Sequence, residues 1–157
     1  MNWTREKVNE FLAKVMNIEC WKHEYSTDYA EEPCTKCGER DAQNFSAFNG
    51  DRLNHEVIDY LEKEMPEVWE EYIRNTAEVT DTWVELLDKW INPFNLAEWL
   101  SNNRESWGYT GCLNFDCQDG YCCNPSYVKT VCPLCYGTSR IKHPAFIWLE
   151  EEEKKNG

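Results

Sequence analysis

Apolar residues recur at three- and four-residue spacing through most of the first hundred positions, the period of helices with one buried face. Over residues 4–24, Val8, Phe11, Leu12, Val15 and Met16 fall on one side. Arg5, Glu6, Lys7, Glu10 and Lys14 fall mostly on the other, and Thr4 suits the N-cap. Cys20 near the end of this helix reads as a small buried hydrophobe. Residues 39–50 are polar, with Phe45 and Phe48 as anchors, and read as a loop. Residues 51–91 are helical again. Leu53, Val57, Ile58 and Leu61 form one face, and Pro66 opens a helix carrying Val68, Trp69, Tyr72 and Ile73. Thr82 and Glu85 form a capping box ahead of Trp83, Leu86, Leu87, Trp90 and Ile91. Pro93 ends that helix, and Asn95 caps a short one over residues 96–100. Trp69, Trp83, Trp90 and Trp99 are expected in the core.

The pattern changes after residue 101. Gly108 and Gly111 break it, and six cysteines follow in twenty-four positions. Residues 127–131, 138–142 and 145–149 are β-like, and 150–157 form a charged tail expected to fray. The expected fold is α+β: one domain over residues 1–157, with an amphipathic helical bundle (about 1–106) packed on a small cysteine-rich, zinc-ribbon-like β unit (about 107–149). An aromatic content of 14% with eight tryptophans excludes a disordered chain.

Nine cysteines, two C-x-x-C pairs and no signal-peptide pattern point to metal rather than disulfides. Two intervening residues let both thiolates face one ion, and a tetrahedral site needs two such pairs. One partition is nested. Cys34, Cys37, Cys132 and Cys135 then form an outer site, and Cys112, Cys117, Cys122 and Cys123 form a second one. A local ribbon is the alternative, with Cys117 and Cys122, or Cys112 and Cys117, joining Cys132 and Cys135. One or two Zn2+ ions are expected, and an iron–sulfur cluster is a further option. His143, before Pro144, is a substitute ligand or a surface residue.

Cys132-Pro-Leu-Cys135-Tyr-Gly137-Thr-Ser139 resembles one repeat of the C-x-x-C-x-G-x-G zinc motif of DnaJ-type chaperones, with Ser139 in place of the last glycine. The resemblance covers about ten residues and implies zinc at Cys132 and Cys135. The His-Pro-Asp signature is missing, since Ala145 follows His143–Pro144. Pro33-Cys34-Thr-Lys-Cys37 matches half of a zinc-deaminase motif, but neither His23–Glu24 nor His55–Glu56 supplies the H-x-E half. An enzyme is therefore the less favoured reading.

The formal net charge is −13 and the isoelectric point about 4.6, which disfavours direct binding to nucleic acid. Between Glu56 and Lys89 eleven acids stand against three bases, a net of −8. Like charges three and four apart weaken a helix by a few tenths of a kcal/mol each. Keeping Glu67, Glu70, Glu71 and Glu78 so close together suits a surface that faces a basic partner. A solvated face that aids solubility is the plainer reading. The expected partner is a basic protein surface, and inhibition of a nucleic-acid-binding protein by charge mimicry is one use of it. Trp107 and Tyr109, in a glycine-flanked loop, are candidates for an exposed contact. No apolar run is long enough to span a membrane, so the expected setting is cytoplasmic. A zinc-dependent chaperone or assembly factor, or a metalloenzyme, remains the alternative.

Overall fold

The computed structural model describes residues 1–24, 33–40, 43–78, 82–86, 90–113, 116–123 and 129–156, leaving aside the side chains of Cys122 and Cys123. The chain forms two compact units, Met1–Leu100 and Ser101–Gly157.

The first unit is mainly helical. It contains α1 (Arg5–Val15), a hairpin of β1 (Phe48–Asn49) and β2 (Arg52–Leu53), α2 (His55–Glu64), α3 (Pro66–Ala77), the short α4 (Trp83–Glu85), and most of α5 (Pro93–Asn102). Its core is built from the helical stripes: Val8, Phe11, Leu12 and Val15 of α1, Val57 and Leu61 of α2, Trp69 and Tyr72 of α3, and Leu96, Ala97 and Leu100 of α5. Tyr72 is the hub. Its hydroxyl donates to Asn95 Oδ1 at 2.9 Å and its ring meets Trp99 edge-on at 5.4 Å.

The caps at Thr4 and Thr82 form as the sequence suggests, accepting from Lys7 and Glu85 N–H. Other boundaries differ. Helix α1 stops at Val15, nine residues before the expected end. Asn17 takes a left-handed conformation (φ 58°) and Ile18 N–H donates back to Ala13 O at 2.9 Å, which closes the helix with a Schellman turn. The expected loop before residue 50 contains β1, and Gly50 (φ 66°) makes the hairpin turn. Pro93 opens α5 instead of merely ending a helix, because Asn92 Oδ1 accepts Asn95 N–H ahead of it. Trp83 and Trp90, expected in the core, are instead 58% and 37% exposed, while Leu86 and Ile91 of the same stripe are buried.

The second unit contains α6 (Arg104–Trp107), β3 (Tyr109–Gly111), β4 (Cys117–Gln118), β5 (Tyr121–Cys123), β6 (Lys129–Val131), β7 (Arg140–Lys142) and α7 (Pro144–Asn156). β4, β5 and β6 form an antiparallel meander, and β3 pairs antiparallel with β7. The β4–β5 turn is Asp119–Gly120, both at positive φ (51° and 93°), as a two-residue type I′ hairpin requires. β6 and β7 flank Cys132–Cys135, yet each pairs with a different strand. Of the expected strand at 127–131, residues 127–128 lie outside the described ones.

The segment expected to be a third strand is the start of α7. Ala145, Phe146, Trp148 and Leu149 are buried while Ile147 is 44% exposed, a helical and not an alternating pattern. His143 caps it through Nδ1, which accepts Ala145 N–H at 3.1 Å, and Pro144 takes the first position. The helix continues through the charged tail to Asn156. Lys142 holds Glu150 at 2.7 Å and Arg104 holds Glu153, so the tail is tied down rather than frayed. Among the described residues no helix is long and apolar enough to cross a membrane.

Candidate metal centres

Among the described residues, two clusters of metal-ligating side chains are assembled, one in each unit. The first joins Cys20, His23, Cys34 and Cys37, and the second joins Cys112, Cys117, Cys132 and Cys135. Within each, the four donor atoms lie within 4.8 Å of one another.

The early stop of α1 makes the first cluster possible. Beyond Asn17 the chain is irregular and turns back along two neighbours. Phe45 N–H donates to Trp21 O, His23 N–H to Asn44 Oδ1, and Thr35 N–H to Glu24 O. This lays Cys20 and His23 over the Cys34–Cys37 turn. Gly38 N–H closes that turn on Cys34 O at 2.9 Å, with Gly38 left-handed at φ 77°. Cys20 Sγ is 3.8 Å from Cys34 Sγ, and His23 Nδ1 is 3.4 Å from Cys20 Sγ and 3.3 Å from Cys37 Sγ.

The second cluster draws on three strand ends. Cys112 follows β3, its N–H held by Ser139 O; Cys117 begins β4; Cys132 follows β6. The Cys132–Cys135 turn repeats the first knuckle, since Tyr136 N–H donates to Cys132 O at 2.9 Å as Gly38 does to Cys34 O. Here the left-handed position is filled by Tyr136 at φ 53°. Cys112 and Cys132 sulfurs are 3.8 Å apart, and those of Cys117 and Cys135 are 3.6 Å apart.

These spacings test the fit to an ion. Four ligands about 2.3 Å from a tetrahedral zinc stand about 3.8 Å from one another, and a disulfide would bring two sulfurs to about 2.0 Å. All seven described cysteines are free thiols. The electrostatics agree. Burial acts to raise the Cys34 thiol, but the amides of Cys37, Lys36 and Glu24 and the His23 ring outweigh it and lower it to about 5. Cys20 is pushed up to about 12, first by burial and then by hydrogen bonds with Cys37 and Cys34. Burial likewise pushes Cys117 up to about 12 despite the Gly120 amide, and its thiol neighbours add to the rise. Cys20 and Cys117 thus resist ionising beside their thiol neighbours, and a shared cation would relieve that resistance. Both could hold a metal ion such as Zn2+.

The pairing differs from the nested partition. Cys34 and Cys37 are grouped with Cys20 and His23, and Cys132 and Cys135 with Cys112 and Cys117, which is one form of the local ribbon alternative. The side chains of Cys122 and Cys123 lie outside the described residues, although their backbone forms β5. Cys20 is half-exposed and takes part in a cluster instead of lying among core hydrophobes. His23 fits no H-x-E pattern, and the signal that marks it is spacing: Cys20-x-x-His23 repeats the two-residue gap of Cys34-x-x-Cys37. His143 belongs to neither cluster and serves as a helix cap.

Of the remaining candidates, Glu67, Glu70, Glu71 and Glu78 are all exposed. Trp107 is not available as an exposed contact. It is 6% exposed and its ring packs edge-on against His143 at 5.7 Å. Tyr109 is half-buried between Phe146 and the Arg140 guanidinium.

Comparison of the chain with family models, with curated proteins and with solved structures gives no match.

Proposed function

We propose that the chain is a small zinc-stabilised binding protein whose acidic helical surface docks on a basic protein surface. The observation that carries this reading is the division of α3. Trp69, Tyr72 and Thr76 are buried on one side, which fixes the helix rotation and leaves Glu67, Glu70 and Glu71 exposed on the other. The two metal clusters supply the frame. Each offers four protein donors, a set that fills a tetrahedral ion and suits a structural site better than a catalytic one. Carboxylates held in this way can stand where phosphates would lie, so the favoured partner is a nucleic-acid-binding protein that the chain inhibits. The test is affinity capture at low salt with the intact protein and with a Glu67→Gln/Glu70→Gln/Glu71→Gln/Glu78→Gln variant. The bound partner should be basic, lost with the variant, and released by salt or by competing duplex DNA. Retention unchanged by salt would remove electrostatic docking.

A second reading, a zinc-dependent chaperone or assembly factor, rests on apolar exposure beside the second cluster. Val131, Leu134 and Tyr136 are 56%, 45% and 79% exposed. It predicts suppression of aggregation of an unfolding client protein, abolished by Leu134→Ser/Tyr136→Ser with all cysteines intact. Suppression that survives those changes would rule it out.

A further inference from the structure

The two clusters differ in what can reach them. Cys20, His23 and Cys37 line a cleft of about 660 Å3, and Cys37 is exposed, so only Cys34 of the first set is buried. Among the described residues, the charged groups lining the cleft are Glu19, Glu39 and Glu56, all acidic and all exposed. Lys36 and Lys22, each next to a cluster residue in the chain, are paired with Glu24 and Glu6. A metal-bound histidine is usually fixed by a partner on its second ring nitrogen. Nε2 of His23 has no such partner among the described residues. In the second cluster Cys112 and Cys117 are half-buried like Cys20 and His23, but Cys132 and Cys135 are 0% and 3% exposed, and among the described residues no histidine takes part. The cleft beside it, about 540 Å3, reaches Cys135 alone of the four, and its charged residues are Glu105, Arg140 and Lys142.

We infer that the first cluster is a metal-exchange site for small cationic or uncharged thiols, while the second retains its ion. This rests on the reading that both clusters hold zinc. Were an ion held there, an entering thiol would supply a sulfur ligand in place of His23 Nδ1, and the thiol proton would pass to the freed imidazole, so the substitution would balance without an oxidant. Sulfur is the fitting donor because a thiolate-rich zinc site accepts soft ligands. Three carboxylates around the entrance draw in a cationic thiol and repel an anionic one.

The experiment is zinc release from the fully loaded protein into a chromophoric chelator, driven in turn by cysteamine, 2-mercaptoethanol and thioglycolate. One zinc should leave in a fast phase and one in a slow phase. The slow phase serves as an internal standard that cancels the intrinsic differences among the thiols. Relative to it, the fast phase should prefer cysteamine over thioglycolate by about tenfold at low salt, and the preference should collapse as salt is added. His23→Cys should turn the fast phase slow, and Cys34→Ser should remove it. Glu19→Gln/Glu39→Gln/Glu56→Gln, all at exposed positions, should keep the fast phase and abolish its charge preference. A single phase, or the same preference in both phases, overturns the exchange site but leaves two structural ions in place. A chain that takes up no zinc overturns both the inference and the reading beneath it.

Discussion

Gly120 packs directly against Gly137: a Cβ built on Gly120 would overlap the Gly137 carbonyl and Cα. The β4–β5 turn is thereby pressed onto the second cysteine knuckle, and Cys132 N–H donates to Gly120 O at 2.9 Å across the same contact. Gly120→Ala meets backbone on one side and an unfavourable φ of 93° on the other. It should cost about 2 kcal/mol or more, read by chemical denaturation of the metal-loaded protein. Gly50→Ala, with φ 66° but nothing near the added Cβ, should cost only about 1 kcal/mol.

The two knuckles make an opposite prediction at their shared left-handed position. Gly38 fills it in the first and Tyr136 in the second, where the ring is 79% exposed and loses little burial on removal. Tyr136→Gly should leave stability unchanged or raise it by about 1 kcal/mol, since relief of strain outweighs the entropy of the new glycine. A loss of stability in the same denaturation assay would show that the ring is held by contacts beyond its own turn.

His143 gives a pH dependence of known sign. Burial holds its imidazole below the usual 6.5, and the neutral ring caps α7 by accepting from Ala145 N–H. Because the folded value lies below the unfolded one, the stabilisation is complete above pH 6.5. It is lost as pH falls from there through the folded value. His143→Asn keeps a cap that does not titrate. Denaturation midpoints at pH 7 and pH 5.5 should therefore differ less in the variant than in the parent. Acid release of metal acts on both proteins alike and cancels in the comparison.

Helix α3 separates binding from stability. Glu67 lies three and four positions before Glu70 and Glu71 on an exposed face. Changing all of these and Glu78 to glutamine should leave the melting temperature unchanged or slightly raised, since each relieved repulsion is worth a few tenths of a kcal/mol. A marked fall in melting temperature would mean that the carboxylates hold the fold itself.

Sequence periodicity captured the elements whose signal is local. Thr4 and Thr82 cap as their neighbours imply, and the Trp69–Tyr72 stripe of α3 turns inward. Stop signals were harder to read. Asn17 ends α1 because asparagine tolerates the left-handed conformation, yet the apolar spacing runs on past it to Cys20 and Trp21. The run from Ala145 to Leu149 is too short for periodicity to separate strand from helix, and His143–Pro144 decided it. The cysteine partition was legible only in part, because two-residue spacing identifies half-sites and says nothing of which halves meet. His23 carries no motif signal, because its role comes from the reversal after Asn17. The glycines beside Trp107 point to an open loop, but His143 packs against its ring and the side chain is buried.

The most direct test of two metal centres, one in each unit, is zinc content per chain by elemental analysis with native mass, for the parent and for Cys34→Ser, Cys132→Ser and the double variant. The structure leads us to expect two zinc ions in the parent, one in each single variant, and none in the double. A site shared by Cys34, Cys37, Cys132 and Cys135 would make both single variants lose the same ion, and the double variant would lose no more than either. That result, or a parent chain without metal and with its thiols oxidised to disulfides, would contradict the account.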